Sequence, residues 1–295
     1  MPASPLAVTL ISDLFFTVQV EQALRGLGYR LERIERGSEL EPEPDGGLER
    51  ELPRAYLGEP LEGRGAVFIR RLAEWQPALI IVELSSTAIP WAEWIAAAKS
   101  SPATRRIPVL AFGPHTDLAL RETALNAGVD TVVAKSRLVS ALPELIEQYA
   151  RVFDYAGMQT DCDGRPSALA LKGLALFNAR QYFEAHEELE LAWKEETGPV
   201  RELYRGVLQV AVAYLQINRR NYRGALKMFL RLRQWLDPLP DRCLGVDVAQ
   251  LRTDALAARA RLEELGPEGM AAFDVEALPP VRYELPRGGA DSEPQ

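Results

Sequence analysis

The hydrophobic period of this chain changes once, near residue 154, and that change constrains the fold more than any other feature. Before it, short apolar runs alternate with amphipathic segments. "LAVTLIS" (6–12) is apolar and rich in β-branched residues, as in a buried strand. "FTVQVEQALRGLG" reads as an amphipathic helix closed by Gly28, and "YRLERIE" alternates like a half-exposed strand. There follow "AVFIRRLAEW" as helix, "PALIIVEL" as strand, "WAEWIAAAKSS" as helix and "IPVLAFG" as strand. "DLALRETALNAG" (helix), "VDTVVAK" (strand) and "VSALPELIEQYARVF" (helix) complete the series. Strands alternating with helices predict a parallel five-stranded sheet covered on both faces, with ligands beyond the carboxyl ends of the strands.

Residues 37–65 interrupt the series with six Gly, four Pro and eight acidic residues, a composition that predicts a disordered insertion. Residues 154–166 read as a linker. From Pro166 onward the period is helical, with helices expected over 167–179, 181–196, 200–218, 222–236 and 247–264. The chain is thus expected to hold an α/β domain (1–153) and an all-α helical bundle (167–265), with a Pro/Gly-rich disordered tail at 279–295. A length of 295 residues suits two domains.

The net charge of −8 argues against nonspecific attraction to nucleic acid or membrane. No apolar run approaches the ~18 residues that span a bilayer, and the N-terminus lacks the basic region of a signal peptide. Cys162 and Cys243 lie far apart and outside any CxxC spacing, so the expectation is a reducing cytoplasm, no disulfide framework and no zinc knuckle.

"PALIIVEL", "IPVLAFG" and "AGVDTVVAKS", in this order of elements, resemble the response-regulator receiver domains of flavodoxin-like fold, over about residues 5–150. Receivers carry an acidic pair after the first strand and a phosphoacceptor Asp after the third. A hydroxyl residue follows the fourth strand and a Lys the fifth, and the acids hold Mg²⁺. By this resemblance Asp13 takes one acidic position, but Leu14 follows it. Glu83 takes the acceptor position, Gly113 the hydroxyl position and Lys135 the lysine, with Ser136 where Pro is usual. Glu83 is one methylene longer than Asp, Gly113 supplies no hydroxyl and Leu14 no metal oxygen. The expectation is a pseudo-receiver that is not phosphorylated and that docks a protein partner. A Glu83–Lys135 ion pair admits two readings, a fixed "on" state or the satisfaction of two half-buried charges. His115, in "FGPHTD", reads as an exposed loop residue without a second metal ligand nearby.

In the second half, "YFEAHEELELAW" (182–193) places Tyr182, His186, Glu190 and Trp193 on one helix face, with Glu184 and Glu187 nearby. The motif is HExxE, not HExxH. His and Glu supply two ligands where a catalytic zinc needs three from the protein, so no metal and no cofactor is expected. In the next helix Arg205, Gln209 and Gln216 share a face, and a buried Gln209 needs partners. The expected set is His186 and Glu190, with Arg205 balancing the carboxylate. This is either a polar pocket for a small ligand or a closed network that docks two helices. The enzyme alternative uses His186 as general base, oriented by Glu190, with Arg205 holding an anion; the residues alone do not decide whether the protein is an enzyme. Residues 201–233 carry eight Lys/Arg and one acid, among them Arg219, Arg220, Arg223, Lys227, Arg231 and Arg233. Charge balance against the Glu-rich helix explains this better than nucleic-acid binding, because no groove-reading motif accompanies it.

The motifs "LFN", "YFEAHExLExxW", "GPxR", "GxLQxAxA" and "NxRGA" make residues 165–240 similar to the bacterial family catalogued as domain of unknown function family 309. The resemblance implies a small helical bundle with no assigned reaction. It carries over Asn178, Tyr182, Glu184, His186, Glu187, Glu190, Trp193, Gln209, Asn221 and Arg223 as pocket positions. Members often have His where Gln216 stands here, which further weakens a shared metal site. Together the residues point to a cytoplasmic regulatory protein.

Overall fold

The computed structural model describes residues 4–40 and 63–284, which fall into two compact units, Met1–Val152 and Phe153–Gln295. In the first, five parallel strands stand in the order β2-β1-β3-β4-β5: β1 (Leu6–Leu10), β2 (Arg30–Ile34), β3 (Leu79–Glu83), β4 (Val109–Gly113) and β5 (Thr131–Ala134). This is the flavodoxin-like, receiver-type order. Every residue of β1, β3 and β4 is buried, as a sheet covered on both faces requires.

Alternate side chains feed two cores. Val8, Leu10, Ile80, Val82 and Val109 face α2 (Gly63–Trp75) and α3 (Trp91–Ser100), where Phe68 and Trp94 stack at 5.1 Å. Ala7, Leu79, Ile81, Leu110 and Phe112 face α1 (Leu14–Gly26) and α6 (Leu142–Tyr149). The strand order reverses between β1 and β3, whose pairing sets Leu10 beside Val82. The residues just beyond, Ser12 and Asp13 on one side and Glu83 on the other, therefore meet.

The second unit packs α8 (Ala168–Asn178), α9 (Tyr182–Glu195), α10 (Arg201–Asn218), α11 (Tyr222–Leu236) and α12 (Val248–Leu265), each within two residues of its sequence-based range. Glycines permit two close approaches: a Cβ at Gly173 would overlap Leu189, and one at Gly206 would overlap Leu236.

Several expectations need correction. The supposed linker 154–166 contains α7 (Tyr155–Cys162), started by Asp154, whose side chain accepts from Gly157 N. The break before α12 holds a hairpin, β6 (Arg242–Cys243) with β7 (Val246–Asp247). Cys162 and Cys243, 81 residues apart, are joined by a disulfide with a Cα–Cα distance of 4.3 Å. The reading of two separate thiols fails because α7 folds back onto that hairpin, where Leu244 N donates to Cys162 O. The expected tail begins in order: Val281 is buried, and Tyr283 bridges to Val246. Of the expected insertion, 37–40 forms a short 3₁₀ turn that buries Leu40, and 63–65 begin α2. Residues 41–62 and 285–295 lie outside the described residues. The last helix of the first unit is two pieces, α5 (Lys135–Ser140) and α6, because Pro143 sits in the first turn of the second. Among the described residues no helix is long and apolar enough to cross a membrane.

Candidate functional site

At the carboxyl edge of the first unit, Glu83 ends β3 with its side chain only 4% exposed. Its Oε2 accepts from Ser12 N at 3.1 Å, Asp13 N at 3.0 Å and Ser12 Oγ at 3.4 Å. Its Oε1 accepts from Ser85 Oγ at 2.9 Å and stands 3.8 Å from Lys135 Nζ. Ser12 Oγ is also hydrogen-bonded to Ser86 Oγ at 2.8 Å, the Ser86 hydroxyl donating, which closes a serine clamp. The extra methylene of Glu carries the carboxylate across the switch point onto the main chain after β1.

The other positions complete this picture. Asp13 is the N-cap of α1 and accepts from Phe15 N at 2.9 Å. Leu14 offers no oxygen and is 76% exposed. At Gly113 a Cβ would stand 3.2 Å from Leu84 Cβ, so that side chain fills the place of a hydroxyl. Lys135 Nζ lies 5.0 Å from the Phe16 ring centre as well as near Glu83. Both Glu83 oxygens are engaged by protein groups, and Asp13 Oδ1 caps α1. Sequence reasoning found Glu83 and Lys135 but missed Ser12, Ser85 and Ser86. The serines flanking the strand ends in "LISD" and "ELSS" were the available signal. His115 is exposed on its loop.

In the helical unit the ten carried-over positions separate into groups. Asn178 pairs in both directions with Val281: Nδ2 donates to its O at 2.9 Å and Oδ1 accepts from its N at 2.8 Å. Beside it Tyr182 packs edge-on against Phe177 and Tyr214, with ring centres 5.3 and 5.6 Å away. Glu184 and Glu187 are exposed. His186 is half-buried and makes no side-chain hydrogen bond among the described residues. Glu190 pairs with Lys194 at 3.1 Å, and Glu188 with Lys172 at 2.6 Å. Asn221 caps α11 by accepting from Gly224 N, and its Nδ2 donates to Gln216 Oε1 at 2.8 Å. Arg223 is exposed.

A second group assembles two helical turns along α9 from His186, at Trp193. The Arg205 guanidinium lies between two indoles, 4.8 Å from the Trp193 ring centre and 3.7 Å from that of Trp235. Arg201 covers the same Trp193 ring at 4.9 Å. Gln209, one turn along α10, has a buried Oε1 with no hydrogen-bond donor among the described residues, so the expected bonds to that oxygen are not formed there. Trp193 Nε1, Arg201 Nε and Glu202 Oε2 are buried and have no hydrogen-bond partner among the described residues. Arg201, Glu202 and Arg205 share an α10 face with Gln209 by helical spacing, the face on which the sequence also sets Gln216.

Tyr214 is fully buried and its hydroxyl has no partner among the described residues. Burial pushes its phenol well above the ordinary value of 10.0, with Asp254 and Tyr182 adding to the effect. The folded state therefore holds this proton more tightly than the unfolded state. Stability does not depend on this proton below pH 10.0 and falls as pH rises above that unfolded value, where the unfolded phenol ionises first. Tyr214→Phe is expected to flatten the alkaline limb of the stability–pH curve. It should also raise stability near pH 7 by about 1 kcal/mol, since an orphaned hydroxyl leaves the core. Urea unfolding at pH 7 and above pH 10.0 measures both effects.

Residues 170–228 match the family described as Domain of unknown function (DUF309). No curated protein matches the chain. Among solved structures, receiver domains cover the N-terminal half. The chain is similar to the receiver domain of a sensor histidine kinase from Pseudomonas aeruginosa, with 16% identity, 50% of this chain and 98% of that chain covered, and a TM-score of 0.37. It is similar to a chemotaxis response regulator of Vibrio cholerae, with 14% identity, 49% and 98% covered, and a TM-score of 0.34. A phosphorylated cyanobacterial phytochrome response regulator gives 16% identity, 50% and 94% covered, and a TM-score of 0.36.

Proposed function

We propose that this is a non-catalytic regulatory protein, in which a receiver-type unit that is not phosphorylated is coupled to a helical unit that binds a partner or a small ligand. The observation that carries the reading is the Glu83 carboxylate, whose oxygens are held by Ser12, Asp13, Ser85 and Lys135. An acceptor carboxylate must present a free oxygen to phosphorus, beside a cation that neutralises the phosphoryl group. Here that oxygen is turned into the main chain. The ion pair with Lys135 acts as a fixed internal link in place of a signal.

On this reading the receiver-type unit docks a protein through surface it leaves uncovered. Leu14, Phe15 and Val18 at the start of α1 are 76%, 60% and 45% exposed, beside the closed site. The helical unit contributes the Trp193–Arg205–Trp235 stack, with unpaired polar atoms of Gln209, Trp193 and Arg201 around it. Ligand capture there is supported by those unspent groups and not by the His186 cluster. The enzyme alternative built on His186 gains no support, because Glu190 is paired with Lys194 and His186 has no hydrogen bond among the described residues. We place the protein in the cytoplasm, where a regulator of this type would work. Phosphotransfer from acetyl phosphate tests the reading: the purified chain is expected to take no label, and a stable label on Glu83 would overturn it.

A further inference from the structure

We propose that the Cys162–Cys243 disulfide is a redox latch that keeps α7 docked, and that reduction by a dithiol releases this helix while the bundle behind it stays folded. The latch joins unequal partners. Cys243 is fully buried in β6, and its hairpin is tied down by the β6–β7 pairing and by Asp247 N donating to Arg282 O. The neighbouring Glu284 N donates to Gly245 O. That side is a fixed post.

Cys162 ends an eight-residue helix whose buried side chains are Met158 and Cys162 alone. Tyr155, Ala156, Gln159, Thr160 and Asp161 of α7 are all exposed. Helices of this length do not persist unaided in water, because so few residues cannot offset the cost of nucleation. One main-chain bond, Leu244 N to Cys162 O at 2.7 Å, adds to the attachment. Without the covalent bond, one methionine and one thiol must order eight residues, and conformational entropy outweighs them.

The chemistry is ordinary thiol–disulfide exchange. A thiolate of the dithiol attacks one cysteine sulfur, forms a mixed disulfide and expels the other cysteine as thiolate. The second thiol of the reductant then closes its own disulfide and expels the first cysteine. Two electrons and two protons pass to the pair. Cys162 is 4% and Cys243 0% exposed, so attack waits on local opening of α7. In a reducing compartment the latch then follows the dithiol poise.

Hydrogen exchange on the full chain, with and without dithiothreitol, tests this alongside alkylation and mass counting of free thiols. After mild oxidation no thiol should alkylate; after dithiothreitol, two should. Reduction is expected to bring exchange of the α7 amides to within about tenfold of the unfolded rate, while the α9 and α10 amides lose only the bond's contribution to global stability and stay protected. Cys162→Ser should reproduce the reduced pattern. Should that variant fail to fold, Met158→Ala with the bond intact gives the second arm: by loosening α7 it should speed reduction several-fold. Free thiols after oxidation, equal α7 exchange in both states, loss of protection throughout the bundle, or an unchanged reduction rate in Met158→Ala would each overturn the proposal.

Discussion

Replacing Glu83 with alanine is expected to destabilise the receiver-type unit by about 3 kcal/mol. The side chain is 4% exposed and satisfies Ser12 N, Asp13 N and two serine hydroxyls. Its removal orphans two main-chain donors at the end of β1, each at a cost of roughly 1–3 kcal/mol. The Lys135 side chain is 34% exposed and can turn to water, so its lost ion pair adds little. Glu83→Gln keeps one oxygen for the main-chain donors and should cost roughly half as much. Denaturant unfolding of the full chain, with exchange of the β1 amides as a local readout, measures the difference. Unchanged stability in Glu83→Ala would mean that the carboxylate is not holding the switch point together.

A second large effect is expected at the disulfide. The bond spans a sequence separation of 81, so it restricts the unfolded chain across α8 to α11. Loop-closure entropy for a loop of this size is worth roughly 4 kcal/mol. For a unit of this length, removing it should lower Tm by roughly 10 °C or more. Scanning calorimetry of the full chain with and without reductant gives the shift. Coincident transitions would show that the bond contributes nothing to stability.

These sites were unequally legible in the sequence. The strands of the first unit stand out because burial on both faces removes polar residues from "LAVTL", "LIIVE" and "VLAFG" altogether. The helices of the second unit follow from their period, whereas Asn221, carried over only as a pocket position, is the N-cap of α11. Where Glu83 would send its oxygens was not legible. One methylene decides it, and the donors are main-chain groups of Ser12 and Asp13, 71 and 70 residues away.

The disulfide was illegible for a similar reason. No spacing rule connects cysteines 81 apart, and α7 carries too weak an apolar pattern to stand out from a linker. The polar set expected around His186, as a pocket or as a closed network, was the hardest part to read from spacing alone. Helical spacing puts His186 and Glu190 on one face but does not say which helix they meet. Arg205 lies between Trp193 and Trp235, where a weakly hydrated guanidinium gains by stacking. The C-terminal strap was missed because "PPVRYEL" has tail-like composition, yet Val281 supplies the main-chain partner for Asn178.

The most direct measurement of the central claim is intact-mass analysis of the full chain after incubation with acetyl phosphate and Mg²⁺. A conventional receiver domain run alongside serves as the positive control. The closed Glu83 site predicts no added phosphoryl group on this chain under conditions that label the control. A mass gain of one phosphoryl group, lost in Glu83→Gln, would contradict the account.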